Sequence, residues 1–306
     1  GAYIDAATAG TQALTLDTSG AGAIDVDEVG QTAALGSLTI AGAGGAVTLH
    51  DTTGQAAGTL TADGLVDFTG ASNGVVLSDN ITVASNSNGI TFQSADINAA
   101  TADTQALTLD VASGQSITLA GVGKTDRLAD LTLDTAAFGT LELFDSLVVD
   151  AGLDFTNAND VDLNGTVTVD TSSANGLIDF TGTAIDGNNA LALNAGSGQI
   201  DLDEVGAGTA VSSVTVTTTG STLLHDTAGV DAAHTLRADG TIDFTAATGG
   251  VELSDAITVT STGGAIDFTG AYIDAATAGT QALTLDTSSG GTTIDVDEAG
   301  QTAALG

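Results

Sequence analysis

The sequence predicts an all-β fold, a parallel β-solenoid in which short strands wind into coils that stack on one another. Three observations predict it. Apolar and polar residues alternate over stretches of four to six residues, which is the period of a strand with one buried face. Segments rich in Gly, Ser, Thr and Asn separate these stretches and mark turns. The chain also repeats itself over long and short distances, as arrays of stacked units do.

The long repeat links the two ends of the sequence. Residues 1–19 return letter for letter as residues 270–288. The match continues with one inserted residue, so that residues 1–36 recur at 270–306. The two copies define a long repeat unit of 269 residues. We therefore expect residues 1–306 to form one continuous solenoid array that is a segment of a much longer protein.

A weaker repeat of about 88 residues lies inside the long unit. It is marked by phenylalanines that recur at intervals of 87 to 89 residues. The first set is Phe68, Phe155 and Phe244, and the second set is Phe92, Phe180 and Phe268. Other strands recur in the same frame, at distances of 81 to 94 in residue number. Three sub-repeats thus make one long unit, with loops that vary in length and strands that persist.

The phenylalanines also indicate the length of one coil. Consecutive members of the two sets differ by 24, 25 and 24 in residue number. Dividing 88 by four gives 22, so the simplest prediction is four coils of about 22 residues in each sub-repeat. We expect right-handed winding, because parallel crossover connections prefer that hand.

The strands follow from the alternation, taken in chain order. The first nine predicted strands are ALTLD (13–17), AIDVD (23–27), SLTI (37–40), AVTLH (46–50), TLTAD (59–63), LVDFT (65–69), VVLSD (75–79), NITVAS (80–85) and GITFQ (89–93). Gly-rich and Ser-rich turns such as SGAG and SNSNG separate them. The same pattern continues to the end of the chain, and no segment has a convincing helical period.

The composition supports a buried core. Hydrophobic residues make up 42% of the chain and the mean hydropathy is +0.29, which argues against disorder in spite of the high charge. The chain has no Cys, Met or Trp, so the core must consist of Val, Ile, Leu, Ala and eight Phe. The lack of cysteine excludes disulfides and thiolate metal sites. Because no apolar run is long enough to cross a bilayer, we expect no membrane-spanning helix.

The net charge of −36 restricts the possible partners. Only Lys124, Arg127 and Arg237 are basic, against 39 Asp and Glu residues. This excludes nucleic acid as a natural partner, because phosphate binding requires Lys and Arg. The acidity would keep a fibre soluble and apart from its neighbours, and divalent cations could bridge it. The expected partners are other copies or further repeats of the same chain, along or beside a fibre.

Three acidic motifs recur in frame and are the candidates for a calcium site. They are Asp25-Val26-Asp27-Glu28, Asp201-Leu202-Asp203-Glu204 and Asp295-Val296-Asp297-Glu298. The alternation turns both Asp residues of a motif away from the core, where their oxygens could hold Ca²⁺. The intervening sub-repeat, however, has Ile117-Thr118-Leu119-Ala120, and the glycine-rich nonapeptide of calcium-binding β-rolls is absent. We therefore predict a solvated acidic face, and no metal or cofactor site.

Paired carboxylates also raise the possibility of polysaccharide-cleaving chemistry, which some right-handed β-helices perform. Such enzymes need an irregular cluster of Asp, Lys, Arg or His on long loops, whereas each coil here resembles its neighbours. His50 and His225 end corresponding strands, and the third copy has Phe144 at that position. Exchange with Phe favours packing over catalysis. We predict no catalytic residue and no enzyme activity.

Three further residue sets have both a functional and a structural interpretation. The Thr-x-Thr pairs at Thr166/Thr168 and Thr215/Thr217 suggest ice binding, but Thr is also an ordinary outward-facing strand residue. Tyr3 and Tyr272 share one repeat position and form either a lateral contact or a cap on the coil beside Phe268. The asparagines form either stacked amide ladders or, as their irregular spacing favours, turns: Asn73, Asn86, Asn88 and Asn98.

The repeat sequences resemble those of a known protein family. The segments ALTLDTSGAGAIDVDEVG (13–30), ALGSLTIAGAGGAVTLHDTT (34–53) and TLTADGLVDFTG (59–70) resemble the β-strand repeats of filamentous haemagglutinin-like and autotransporter-like giant surface proteins of Gram-negative bacteria. The resemblance covers nearly the whole chain and rests on composition and period. It implies secretion and a role as an adhesin, a fibre or a surface coat.

The expected function is therefore a structural segment of an extracellular filament or coat. The alternative is an adhesin stalk that binds glycans or the surfaces of host or neighbouring cells, and a remote alternative is a polysaccharide-active β-helix enzyme. Near-identity of the long units favours the structural role, because an adhesive surface is expected to differ between units.

Overall fold

The computed structural model confirms an all-β parallel β-solenoid, with about 12 turns and an about 24-residue spacing between equivalent positions. It describes residues 3–18, 20–52, 57–134, 136–225, 227, 234–287, 290 and 292–306. These residues include no helix, and hence none that could span a lipid bilayer. The chain divides into two compact units, Gly1–Asp150 (unit 1) and Ala151–Gly306 (unit 2). That residues 1–306 form one continuous array stays a prediction.

Unit 1 is built from short strands. In the described residues they are β1 (Tyr3–Ile4), β2 (Ala13–Asp17), β3 (Ile24–Val26), β4 (Glu28–Val29), β5 (Ser37–Gly42), β6 (Val47–Leu49), β7 (Gly58–Ala62), β8 (Val66–Asp67), β9 (Val75–Leu77), β10 (Ile81–Ser85), β11 (Ile90–Phe92), β12 (Ile97–Ala99), β13 (Ala106–Val111), β14 (Ile117–Leu119), β15 (Asp130–Leu133), β16 (Phe138–Leu143) and β17 (Leu147–Val148).

These strands form three parallel ladders. Ladder 1a runs β2-β5-β8-β11-β14-β16, ladder 1b runs β3-β6-β9-β12, and ladder 1c runs β1-β4-β7-β10-β13-β15. Isolated bridges continue ladder 1b from Ile97 through Val122 to Leu147. Successive strands of the chain visit ladders 1a, 1b and 1c in turn. Neighbouring strands within one ladder are therefore separated by one turn of the solenoid.

Unit 2 repeats this construction. Its described strands are β18 (Leu153–Asp154), β19 (Ala158–Leu163), β20 (Val167–Asp170), β21 (Ile178–Asp179), β22 (Ala184–Asp186), β23 (Ala190–Gly196), β24 (Ile200–Leu202), β25 (Ser213–Thr218), β26 (Thr222–Leu224), β27 (His234–Ala238), β28 (Ile242–Ala247), β29 (Val251–Leu253), β30 (Ile257–Ser261), β31 (Ile266–Ala275), β32 (Leu283–Asp286) and β33 (Ile294–Ala299).

The ladders of unit 2 are also three and parallel. Ladder 2a runs β19-β22, continues by bridges from Ile185 through Val205 to Leu236, and ends β27-β30-β32. Ladder 2b runs β20-β23-β25-β28-β31-β33, and ladder 2c runs β18-β21-β24-β26-β29-β31. The long strand β31 belongs to both, because Ile266 pairs in ladder 2b and Ile273 pairs in ladder 2c.

The alternation in the sequence decides which side chains enter the core. In β10, for example, Ile81, Val83 and Ser85 are buried and the residues between them are half-buried. Register keeps equivalent residues above one another, so Val83 lies across from Leu60 of the preceding turn and Leu109 of the following turn. Each apolar side chain is thus covered by the turns on both sides.

Phenylalanine pairs stack inside the solenoid one turn apart. The ring centroids of Phe68 and Phe92 are 4.5 Å apart in unit 1. In unit 2 the stacked pairs are Phe155 with Phe180 at 4.1 Å and Phe244 with Phe268 at 4.7 Å. Their interplanar angles are 3° to 13°, because in-register strands place one ring directly over the next. The spacing of these pairs along the chain is the true coil length.

The observed turn of about 24 residues is longer than the predicted coil of 22 residues. Because of this difference, equivalent strands of successive sub-repeats lie in different ladders. At the observed turn length, one sub-repeat makes about 3.7 turns instead of four. In unit 2, Phe180 directly follows β21 of ladder 2c, whereas Phe268 lies in the ladder 2b part of β31. In unit 1, Leu14 lies in ladder 1a and Leu107 in ladder 1c. The remaining two-thirds of a turn shifts each equivalent strand by one ladder.

Candidate functional site

The acidic motifs of unit 2 do not form a column, because of this shift. Asp201 lies in β24 of ladder 2c and Asp295 lies in β33 of ladder 2b. Across the residues that the structure describes, no group of three or more His, Cys, Asp or Glu side chains is arranged to hold a metal ion. The predictions of no metal and no cofactor stay predictions.

The second Asp of each motif binds groups of neighbouring turns. Asp27 accepts hydrogen bonds from the backbone N–H of Thr52, at 3.1 Å, and from its hydroxyl. Asp203 accepts from the N–H of Gly182 of the preceding turn, at 2.7 Å, and from the Thr227 hydroxyl of the following turn. The hydroxyl bond of Thr52 lowers the pKa of Asp27, because it favours the carboxylate. These carboxylates hold turns together.

The first Asp of the two motifs of unit 2 lies in a column of carboxylates, whereas Asp25 of unit 1 pairs with Thr48. The register places Asp154, Asp179 and Asp201 opposite one another in ladder 2c. It does the same for Asp243, Asp267 and Asp295 in ladder 2b. Like charges directly opposite each other on neighbouring strands are destabilising. The columns therefore need local donors to offset the repulsion.

A recurrent Asp-x-Thr contact supplies a backbone N–H donor to four members of these columns, Asp154, Asp179, Asp243 and Asp267. Asp67 Oδ1 accepts from the backbone N–H of Thr69 at 2.8 Å and from its hydroxyl at 2.7 Å. The same pair of bonds occurs at Asp154 with Thr156 and at Asp243 with Thr245. The sequence signal is the string D-F-T, in which Phe enters the core while Asp closes a side-chain turn. The alternation predicts the buried Phe of this string, whereas it does not predict the turn that its Asp closes.

Asp201 and His225 come closest to a catalytic arrangement. Asp201 is 8% exposed, contrary to the solvated position that the sequence predicts, and its Oδ1 accepts from Gln199 Nε2 at 2.6 Å. The Nε2 of His225 lies 4.0 Å from the same oxygen. Burial raises the pKa of Asp201, Gln199 lowers it, and the carboxylate of Asp179 raises it further. The distance is too long for a hydrogen bond between His and Asp.

The positions of His50, Phe144 and His225 are structurally equivalent. Each residue directly follows a strand and is half-buried. Each donates its backbone N–H to a carbonyl one turn earlier: His50 to Val26 at 3.0 Å, Phe144 to Leu119 at 2.9 Å and His225 to Leu202 at 2.9 Å. The backbone bond is common to the three while the side chain varies. The prediction that the chain is not an enzyme stays a prediction.

Threonines form regular columns at positions other than the predicted Thr-x-Thr pairs, and one of them aligns Thr235, Thr258 and Thr284 in ladder 2a. Ladder 1c aligns Thr59, Thr82, Thr108 and Thr132 in successive turns. The next outward position has Thr61, Ala84 and Asp110, so no second threonine column lies beside it. In ladder 2b, by contrast, Thr168 and Thr215 are separated by Ala192. Only the register could reveal the column of ladder 1c, since the distance between its members along the chain varies from turn to turn.

Tyr272 binds the turn that precedes it. Its hydroxyl donates to the carbonyl of Gly249 at 2.6 Å, and its ring lies across Gly250. A Cβ atom at Gly250 would lie 2.2 Å from the Tyr272 Cζ, and the φ of Gly250 is +94°. Only glycine therefore admits the ring. Tyr3, the equivalent residue of unit 1, is 59% exposed, compared with 40% for Tyr272.

The asparagines act as turn residues. Asn73 Nδ2 donates to the carbonyl of Gly44 at 3.0 Å, and Asn98 Oδ1 accepts from the N–H of Thr125 at 2.9 Å. Asn86 Nδ2 donates to Asp63 Oδ1 at 2.7 Å. These contacts are with loops of neighbouring turns, as the irregular spacing of the asparagines predicts.

The basic residues of unit 1 each meet carboxylates. Arg127 donates from two nitrogens to Asp103, both at 2.9 Å, and this bond lowers the pKa of the Asp103 carboxyl. Lys124 lies between Asp145 and Asp96. Both cations of unit 1 are thus engaged within the solenoid surface.

Comparison with known proteins gives no relative from which a role could be transferred. No protein-family model, curated protein or solved structure matches the chain.

Proposed function

We propose that this chain is a structural segment of a giant secreted surface protein, of the filamentous haemagglutinin-like or autotransporter-like kind, and that it builds an extracellular filament or coat. The observation that carries the proposal is the in-register stacking of three parallel ladders within each unit. A turn of this kind is complete only when neighbouring turns cover it, so the arrangement favours extension over a closed, compact body.

The core supports this role. Residues such as Leu60, Val83 and Leu109 are fully buried in successive turns. Burial of apolar surface contributes about 25 cal/mol per Å², so each added turn adds a similar increment of stability. Stacked phenylalanines contribute further, by about 0.5–1.5 kcal/mol for each pair. Stability therefore grows with length, which suits a long fibre.

The surface supports it as well. Carboxylates such as Asp27, Asp203 and Asp274 accept hydrogen bonds from neighbouring turns, so the acidic surface also ties turns together. The net charge of −36 keeps separate fibres apart in solution. A fibre with this surface would stay dispersed while its backbone pairing continues along its length.

Immunoelectron microscopy of the source cells tests the proposal. Antibodies raised against the 306-residue chain should label thin filaments or a coat outside the cell, and antibody preabsorbed with the chain should label nothing. Label confined to the cell interior, or to compact particles, would overturn the extracellular structural role.

A chelator separates this role from a metal-dependent one. Filaments isolated from the cells should keep their diameter and an axial spacing of about 4.8 Å after treatment with a calcium chelator. Filaments that fray on chelation would show that calcium bridges the acidic surface.

A further inference from the structure

We propose that Asn88 is a site of spontaneous covalent modification, at which the asparagine deamidates through a cyclic imide formed with Gly89. The site lies in the turn between β10 and β11, well inside unit 1. The proposal concerns the chemistry of this chain and holds wherever the protein is located. It follows from two observations: the contact within the Asn88–Gly89 pair, and the different contacts of two further Asn-Gly pairs.

The reaction needs a backbone nitrogen that can reach the side-chain amide of the preceding residue. The nitrogen of Gly89 loses its proton and forms a bond with Cγ of Asn88, and the side-chain nitrogen leaves as ammonia. Water then opens the ring. Cleavage of the Cγ–N bond gives aspartate, and cleavage of the backbone C–N bond gives isoaspartate. Such a step is favoured where the reacting atoms are held about 3–3.5 Å apart, and asparagine is among the thermolabile residues.

The structure holds these atoms of Asn88 and Gly89 together. The N–H of Gly89 donates to Asn88 Oδ1 at 2.8 Å, so the nitrogen lies beside the carbon that bears this oxygen. The groups around it pair with neighbouring turns: the carbonyl of Gly89 accepts from Val66 at 3.2 Å, and the N–H of Ile90 donates to Ser116 at 3.1 Å. The turns on both sides of the pair therefore fix its backbone.

Ser85 fixes the shape of this turn. Its hydroxyl accepts from the N–H of Asn88 at 3.2 Å and donates to the carbonyl of Gly64 at 2.8 Å. A Cβ atom at Gly89 would lie 2.5 Å from the carbonyl oxygen of Ser116, so the position requires glycine. Because glycine has no side chain, the attacking nitrogen is not shielded.

In the Asn73–Gly74 pair, by contrast, both reacting groups bind elsewhere. The N–H of Gly74 donates to the carbonyl of Ala71 at 2.8 Å, and Asn73 Nδ2 donates to the carbonyl of Gly44 at 3.0 Å. Imide formation at this pair must break both hydrogen bonds, so we expect the folded chain to protect it.

The Asn175–Gly176 pair of unit 2 is protected in the same way. The N–H of Gly176 donates to the carbonyl of Thr171 at 3.1 Å, and Asn175 Oδ1 accepts from the N–H of Ser197 at 2.8 Å. The asparagines of all three pairs are exposed, so access to water does not distinguish them. The pairs share one dipeptide sequence, and their contacts alone set the expected difference in rate.

Modification would change both the charge and the backbone of the turn. Either product adds a carboxylate to a loop that already lies against Asp63, to which Asn86 Nδ2 donates at 2.7 Å. Isoaspartate also inserts an extra backbone carbon before Gly89, whose carbonyl pairs with Val66. We therefore expect the connection between β10 and β11 to loosen as the chain ages.

Gly264 shows what the turn requires at this position, because it is the equivalent of Asn88 two sub-repeats further on. Its N–H donates to Ser261 Oγ at 2.9 Å, and the Ser261 hydroxyl donates to the carbonyl of Gly240 at 2.8 Å. These are the two bonds that Ser85 makes in unit 1. Asn88→Gly thus reproduces a turn that the chain already forms.

Ageing of the full 306-residue chain tests the proposal. Folded chain and chain unfolded in urea are incubated side by side at neutral pH, and peptide mass spectrometry follows the conversion of each asparagine. At Asn88 the rate in the folded chain should be at least that in the unfolded chain. At Asn73 and Asn175 it should be lower by about tenfold or more, because two hydrogen bonds must break.

Asn88→Gly is the matched variant, and labelling by an isoaspartyl methyltransferase is the second readout. The variant should unfold at the same temperature as the parent and lose the label in residues 85–89, while label elsewhere is unchanged. The proposal is overturned if the fold protects Asn88 as strongly as Asn73 and Asn175. It is also overturned if label in residues 85–89 persists in Asn88→Gly, which would assign it to Asn86.

Discussion

The first and last turns of the chain have nearly the same sequence and different environments. Ile24 and Val26 are 7% and 4% exposed, whereas the equivalent Ile294 and Val296 are 42% and 38% exposed. The strand of the first pair lies against β6 of the following turn, and β33 lies against β31 of the preceding one. Burial in this fold is therefore a property of the neighbouring turns. The same strand sequence is therefore buried only where a further turn packs against it.

The largest expected effect comes from removing the residue that covers the last turn. Phe268 is fully buried, stacks on Phe244 and pairs with Val296. Phe268→Ala should destabilise this part of unit 2 by about 3–5 kcal/mol, because it leaves a cavity. Hydrogen exchange should show lost protection in β31 and β33. Unchanged protection there would mean that the last turn is held by other contacts, and protection in β3 of unit 1 is the internal control.

The next effect compares the twin isoleucines directly. Ile24→Ala should lower the local stability of the first turn by about 2–5 kcal/mol, because Ile24 is buried. Ile294→Ala should cost less than about 1 kcal/mol, because that side chain already meets water. Hydrogen exchange of β3 and β33 measures both. Equal costs would contradict the idea that the neighbouring turn decides burial.

A smaller effect distinguishes two copies of the acidic motif. Burial raises the pKa of Asp201, so its charged form opposes folding above that pKa, and the opposition disappears as the pH falls towards 3.8. Asp201→Asn should therefore stabilise unit 2 at pH 7 and flatten this part of the pH profile, whereas Asp295→Asn at the exposed twin should stabilise it less, because water screens that charge. Chemical denaturation between pH 7 and pH 4 provides the measurement. A loss of stability in Asp201→Asn at pH 7 would contradict the assignment.

The smallest effect concerns a single hydrogen bond between turns. The Thr52 hydroxyl lowers the pKa of Asp27, so the contact stabilises unit 1 above pH 3.8 and is lost as the pH falls through the lowered pKa. Thr52→Ala should cost about 0.5–1 kcal/mol at pH 7, since water screens this exposed contact. It should also remove this acid-dependent step from the hydrogen-exchange profile of β3 and β4. Thr15→Ala, at a strand position of the same unit, is the control and should leave the step in place.

The coil length illustrates how far periodicity alone could lead. The spacing of Phe68 and Phe92 matches the observed number of residues in one turn, because two rings that stack on each other lie one turn apart along the chain. Division of the sub-repeat by a whole number of coils led instead to a value that is too short. Sequence similarity shows how many residues separate two equivalent strands, but it does not show which ladder each strand joins. The displacement of Phe180 and Phe268 onto different ladders needed the register.

Candidate-site residues were predictable to the extent that their role is local. The D-F-T turn at Asp67 and Thr69 has a sequence signal within three residues, and the turn roles of the asparagines followed from their spacing. The contact of Tyr272 with Gly250 joins adjacent turns, and so does the approach of His225 to Asp201. Such contacts depend on which loops meet, and loop lengths in this chain vary from turn to turn.

By itself, the sequence determined the strands, the all-β parallel solenoid, the apolar and phenylalanine core, and the strongly acidic surface, because each follows from local alternation and composition. The tertiary structure alone decided the ladder of each strand, the column of Thr59, Thr82, Thr108 and Thr132, and the different exposure of the twin terminal turns. The physical reason is that a turn of a solenoid buries its side chains only against the turns beside it.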